Sequence, residues 1–259
     1  MVVAMRLLFS FLVFALGGGL VVADETAAPR DPLAGAPEPL AAAIRNYGKD
    51  ADRWAYTQHS FEYDGKGRLQ DEKLVRFDPS KHYDEQWTLL IAGGKEPTEA
   101  QQKKYRRKKA DREKKEKRTL GELLDLPRAV VVEENAAALT YEVPLAPENN
   151  TRLPPKKFQV FVRLDKASQS LRLVEVKLRE SMRLALVVKV KKGGARIEFA
   201  QVQPEFSAVV SAVSVEGQGS VMFVPVGGRA EMARTDYKRV TPYDERFNVK
   251  IGPLKALDF

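Results

Sequence analysis

The chain has 259 residues, 44% of them hydrophobic, with no cysteine, a formal charge of +8 and a pI near 9.5. Without cysteine there is no disulfide and no lipid-modified cysteine, so a folded state must rest on its apolar core. The charge is local: KKYRRKKADREKKEKR at 103–118 carries eleven Lys or Arg and three acidic residues, and the remainder is neutral. That argues against a protein basic throughout, the usual footprint of a polyanion binder.

In chain order, MVVAMR precedes the apolar run LLFSFLVFALGGGLVVA and the acidic DET. This is the layout of a secretory signal peptide. Arg6 supplies its basic start, residues 7–22 its apolar part, and Val21 and Ala23 fit cleavage after Ala23. The expectation is export, to the periplasm or otherwise out of the cytoplasm. An uncleaved anchor competes, since a spanning helix needs roughly 17 to 25 residues, but Gly17, Gly18 and Gly19 weaken a helix there. Residues 24–39, DETAAPRDPLAGAPEP, read as a disordered leader. Residues 40–259 contain no linker or repeat and read as one domain.

Leu40, Ala43, Ile44 and Tyr47 fall at helical spacing after Pro39, with Gly48 as the expected stop. Strands are then expected at 54–63, 72–77 and 86–92, separated by Asp64 to Gly67, Asp78-Pro79-Ser80 and Gly93-Gly94. A helical insertion at 97–126 follows. Thr98 and Gln101 have the spacing of a capping box, and the acidic residues Glu96 and Glu99 precede the basic cluster, in agreement with the helix dipole. Beyond Gln101 its apolar content is Tyr105 and Ala110, which predicts a helix with no face to bury. Leu120, Leu123 and Leu124 suggest a second helical piece that ends at Pro127.

Strand patterns then continue at 129–132, 138–143, 158–164, 171–178, 184–192, 195–202, 206–215, 220–226, 235–240 and 247–251. A phase flip between Leu173 and Val174 suggests a bulge. The pairs Gly193-Gly194 and Gly227-Gly228 read as hairpin turns, which implies antiparallel neighbours. The expected fold is mainly β with minor α: a large antiparallel curved sheet or unclosed β-barrel wrapping one or two helices.

RWAYT (53–57), VRFDPS (75–80), QWTLLIAGGKEPT (86–98), LGELLDL (120–126) and TDYKRVTPYDERF (235–247) resemble a group of exported bacterial proteins of unknown function. Their sheet pattern is similar to that of the outer-membrane lipoprotein-sorting (LolA/LolB-like) superfamily. The resemblance covers most of residues 50–250 through turns and aromatic anchors. It implies an unclosed barrel around helices, with an apolar cavity that in the known carriers receives acyl chains. The long basic helix departs from those carriers.

Chemistry is sparsely marked. His59 and His82 are the only histidines and do not stand at metal-ligand spacing. No nucleophile elbow occurs, and the glycine pairs lack the strand-to-helix setting of a phosphate loop. No enzyme activity, metal or cofactor is expected. Phe158, Val160, Val162 and Leu164 alternate on one strand face, as do Leu184, Leu186, Val188 and Val190 on another. Such faces are either core beneath a helix or the lining of an apolar cavity, where burying an acyl chain yields about 0.8 kcal/mol per methylene.

The basic helix is either solvated or an anionic-surface contact through Lys103, Lys104, Arg106, Arg107, Lys108 and Lys109, facing phospholipid or lipopolysaccharide. Nucleic acid is disfavoured as a partner by export and by the lack of interleaved aromatics. Two functions are therefore expected. The first is a non-enzymatic cell-envelope protein that binds a lipid or other amphiphile in an apolar half-barrel cavity. The alternative is an envelope interaction protein with a filled core that uses its outer surface and basic helix. The pattern does not define an oligomeric state.

Overall fold

The computed structural model describes residues 31–50, 52–113, 119–147, 154–185, 188–222 and 224–247. The expected cleavage site at Ala23 lies outside these residues, as does the expected strand at 247–251 except for Phe247, which ends a 3-10 turn (Tyr243–Phe247). The helices are α1 (Glu38–Asp50), α2 (Glu99–Glu113) and α3 (Leu120–Leu123). The strands are β1 (Trp54–Asp64), β2 (Leu69–Phe77), β3 (Trp87–Ala92), β4 (Val130–Glu134), β5 (Ala138–Glu142), β6 (Phe158–Asp165), β7 (Ser170–Leu178), β8 (Met182–Ala185), β9 (Val188–Ala200), β10 (Val209–Val221) and β11 (Val224–Arg239).

All eleven strands belong to one sheet in the order β3-β2-β1-β11-β10-β9-β7-β6-β5-β4, with β8 beside the start of β9. Every pairing is antiparallel. The sheet ends at β3 and β4, which do not pair with each other, so it is an unclosed antiparallel sheet with helices packed on it. The chain nevertheless returns on itself, because β11 inserts beside β1, with Trp54 opposite Arg239 and Asp64 opposite Gly228.

Alternation decides which face is inward. In β6, Phe158, Val160, Val162 and Leu164 are buried while the residues between them are half-exposed. The phase flip in β7 is a bulge, but it lies at Arg172, which is skipped between Leu171 opposite Leu164 and Leu173 opposite Arg163.

Two expected turns are not turns. Gly193 and Gly194 lie inside β9, opposite Gly217 and Glu216 of β10. Gly227 and Gly228 lie inside β11, and the actual reversal falls between Val221 and Val224. Gly193, Gly194 and Gly227 serve close backbone approach instead: a Cβ at Gly194 would stand 2.9 Å from the Val176 carbonyl oxygen.

α1 continues through Gly48, where a Cβ would meet nothing within 4 Å, to Asp50. Its last turn is fastened by Ser207, whose hydroxyl reaches the Asn46 carbonyl at 2.7 Å and the Asp50 carboxylate at 3.0 Å. The stretch expected as a disordered leader is ordered from Asp31. Its carboxylate accepts from the Leu33 N–H at 3.0 Å, and Leu33 and Ala36 pack on the core. Short apolar residues beside Pro127 and Gly121 supply the contacts that composition alone did not reveal.

The larger apolar cluster joins Leu40, Ala43 and Ile44 of α1 to the inner faces of β5, β6, β7, β9 and β10. A smaller one comprises Tyr56, Val75, Trp87 and Leu89, with Phe77, Tyr237 and Tyr105 of α2 packed against it. Both occupy the same face of the sheet. Val75 of the smaller cluster stands opposite Gln58, and Gln58 opposite Arg234. Two residues along, Ser60 stands opposite Met232, and Met232 opposite Val213, which packs on the larger cluster.

Candidate functional site

The basic helix begins where the sequence places it. The Thr98 hydroxyl accepts from the Gln101 N–H at 3.3 Å, and the Gln101 side chain accepts from the Thr98 N–H at 2.8 Å, closing the box. The expectation that the helix has nothing to bury is overturned. Gln102, Tyr105 and Lys109 are half-buried at helical spacing, and the Tyr105 ring packs on the smaller cluster. The Lys109 ammonium lies 3.6 Å above the centre of the Trp87 ring and 5.6 Å from that of Tyr105. A cation over an indole face is attracted by the ring quadrupole, so Lys109 is a docking residue of the helix.

Docking through one face fixes the other. Lys103, Lys104, Arg106, Arg107 and Lys108 are exposed on the outward side of α2. The Gln102 side chain accepts from Arg106 at 3.5 Å. The result is a basic ridge lying along the β3 end of the sheet.

The eight apolar positions separate. Phe158, Val160, Val162, Leu164 and Val190 are buried members of the larger cluster, at 6%, 1%, 1%, 2% and 9% exposure. Val188 is half-buried at the start of β9, Leu184 lies in β8, and Leu186 lies outside the described residues.

A polar strip, not marked in the sequence, crosses the inner face between the two clusters. Gln58 donates to Ser60 at 3.2 Å, and Arg234 donates to Gln58 at 3.4 Å, with its guanidinium 4.3 Å from the centre of the Tyr56 ring. Burial pushes the Tyr237 phenol up to about 12 and raises that of Tyr47. The Arg234 charge pulls both the other way. No sequence signal marks this strip, because Gln58 and Arg234 are 176 residues apart and meet through the β1–β11 pairing.

The histidines occupy separate places. His59 Nε2 meets Glu72 Oε1 at 2.8 Å on the outer face, and its ring lies 4.1 Å from that of Phe61. His82 stands among Tyr83 and Tyr243 at ring distances of 5.7 and 5.2 Å, with Tyr83 hydrogen-bonded to Asp244. Asp78 closes a turn by accepting from the Ser80 N–H at 3.0 Å. Among the described residues no group of three or more His, Asp or Glu side chains could hold a metal ion. Comparison with protein-family models and with curated proteins finds no match to the chain.

Proposed function

We propose that this is an exported, non-enzymatic protein of the cell envelope that lays the basic ridge of α2 on an anionic surface, phospholipid or lipopolysaccharide. The observation that carries this reading is the docking of α2 through Tyr105 on the smaller cluster and Lys109 on Trp87, which turns Lys103, Lys104, Arg106 and Arg107 outward. A flexible basic tail would lose conformational entropy on binding, whereas a helix already held in place loses less. Each outward cation near an anionic membrane contributes on the order of 1 kcal/mol, weakened by salt.

Two observations favour this reading over an acyl-chain carrier. Five of the eight apolar positions are buried together with α1. The polar strip of Gln58, Ser60 and Arg234 interrupts the apolar inner face.

The test is cosedimentation with vesicles of phosphatidylglycerol and phosphatidylcholine. Replacing Lys103, Lys104, Arg106 and Arg107 with Gln should leave the melting curve in place and weaken binding by at least about a hundredfold. Native mass spectrometry of the same protein should find it free of bound lipid. Vesicle binding that is unaffected by the four substitutions sinks the ridge, and co-purified acyl chains would reinstate the carrier.

A further inference from the structure

The strands around β9 reach past their neighbours. Pairing between β1 and β11 ends at Asp64 and Gly228, and Gly65 of the next turn lies beside Gly227, so Val224 and Pro225 project past it. Pairing between β7 and β9 ends at Lys177 and Gly194, beyond which β9 pairs with β8. β8 to β11 thus form a four-stranded tongue at one end of the sheet. The base of the tongue is packed, since Met182 and Val190 belong to the larger cluster. Its tip is not: Met222 and Val224 keep 67% and 55% of their surface in solvent, beside exposed Pro225.

Met222 suits neither its backbone nor its surroundings. It lies in the reversal between Val221 and Val224 with φ of 48°, a left-handed conformation that favours Gly or Asn. A bulky apolar residue there strains the backbone and gains little from burial. The charges on the tongue are unbalanced as well. Residues 181–197 and 217–230 hold six Lys or Arg and no acidic residue, in a chain with 35 Asp and Glu among 259 residues. Arg196 and Arg229 are paired with Glu198 and Glu231. Arg183, Lys189, Lys191 and Lys192 are exposed, and Arg183 stands directly opposite Lys189, where like charges repel. Local rules broken together at one place mark a functional surface.

We infer that the tip inserts into an anionic lipid bilayer, with Met222 and Val224 entering the acyl boundary and Arg183, Lys189, Lys191 and Lys192 meeting phosphate headgroups. The order of residues along the strands specifies this occupant. Lys189 stands opposite Ser220 and Lys192 opposite Gln218, two and four residues behind Met222. At about 3.3 Å per residue the cations trail the tip by roughly 7 to 13 Å. Apolar surfaces sink about 5 to 10 Å into an interface, which leaves those cations at the headgroups. Apolar area and cationic charge add there, the first resistant to salt and the second weakened by it. The tip is separate from the basic ridge, since β1 and β2 stand between β11 and the β3 edge that carries α2.

The chain lacks cysteine, so one introduced thiol can carry a polarity-sensitive fluorophore. In the chain as the cell processes it, a nitrobenzoxadiazole label on M222C should brighten and shift to the blue with vesicles of phosphatidylglycerol and phosphatidylcholine. Doxyl groups within the acyl chains should quench it. The same label on V202C, exposed beyond the opposite end of β9, should not respond. Met222→Gly suits a left-handed backbone, so its melting temperature should equal or exceed the parent's. Combined with Val224→Ser it should nevertheless weaken vesicle binding at least about tenfold in about 0.5 M salt, where the cations are largely screened. The four Gln substitutions in the ridge should act at low salt and, at saturating lipid, leave the signal from residue 222 in place. A label at 222 that stays dark overturns the inference whether or not the protein cosediments, which is the ridge's own test. Equal responses at 222 and 202 also overturn it, as does a response that appears on concentrating the protein without vesicles, the mark of a second copy on the tip.

Discussion

Tyr237 packs on the smaller cluster. Its ring lies 6.0 Å from that of Tyr56 and 6.3 Å from that of Trp54, and its hydroxyl donates to the Val210 carbonyl at 2.5 Å. Burial raises its pKa from about 10 in the unfolded chain to about 12, with Arg234 opposing the shift. A folded value above the unfolded one means that Tyr237 contributes stability in full below pH 10. That contribution is lost as pH rises through 12. Tyr237→Phe should cost about 1 kcal/mol at pH 7 for the missing hydrogen bond and decline less steeply between pH 10 and 12. Urea denaturation across that range measures both, and an alkaline slope equal to the parent's would assign the titration elsewhere. Tyr105 and Lys109 teach a related lesson about legibility. A lone tyrosine in a charged run carries no periodic signal, and the cluster it packs on is built from β1, β2 and β3. The outward cations could therefore be read from the sequence, while the face that positions them could not.

The strands were legible wherever alternation met a sharp breaker. The burial of Phe158, Val160, Val162 and Leu164 follows their period of two, and Asp64 closes the β1–β2 turn by accepting from the Lys66 and Arg68 N–H groups at 2.9 and 3.0 Å. Glycine was the ambiguous letter. It marks a turn when it supplies positive φ, as at Gly93 and Gly94 with φ of 62° and 75°. It marks close packing when it sits in a strand, and the sequence does not distinguish the two uses. Gly219 is buried in β10, and a Cβ there would run into the carbonyl oxygen of Lys189 on β9. The β9–β10 register shifts at this point, between Gln218 and Gly219, where the strands bend. Gly219→Ala should therefore destabilise the fold by about 1 to 3 kcal/mol by forcing β9 and β10 apart. Gly48→Ala, in open space on α1, should be neutral or stabilising by up to about 1 kcal/mol. Equal thermal midpoints for the two variants would remove the close-approach account.

At the scale of the molecule, one sheet carries two apolar clusters with a polar strip between them, so whether it behaves as one folding unit is a physical question. The sheet supplies the coupling. β11 bridges the N-terminal hairpin to β10, and Arg239 on β11 reaches back to Asp50 at the end of α1 at 2.8 Å. Burial works to raise the Asp50 pKa, but the hydrogen bonds from Arg239 and Ser207 prevail and hold it below the ordinary carboxylate range. That contribution is present above about pH 4 and fades as acid protonates the group at its lowered value. The ion pair thus ties the helix of the larger cluster to the strand beside the smaller one. The two tryptophans allow a direct test, because Trp54 and Trp87 both lie on the β1–β3 side while Leu40 of α1 is fully buried in the larger cluster. Leu40→Ala should cost about 2 to 5 kcal/mol. If the molecule is cooperative, tryptophan fluorescence and far-ultraviolet circular dichroism must shift together to the same lower urea midpoint, although neither tryptophan belongs to the cluster that lost its leucine. A fluorescence transition that stays in place while the dichroism transition moves would mean that the polar strip divides the sheet into two independently unfolding halves. The basic ridge would then remain docked on Trp87 after α1 and the larger cluster had unfolded.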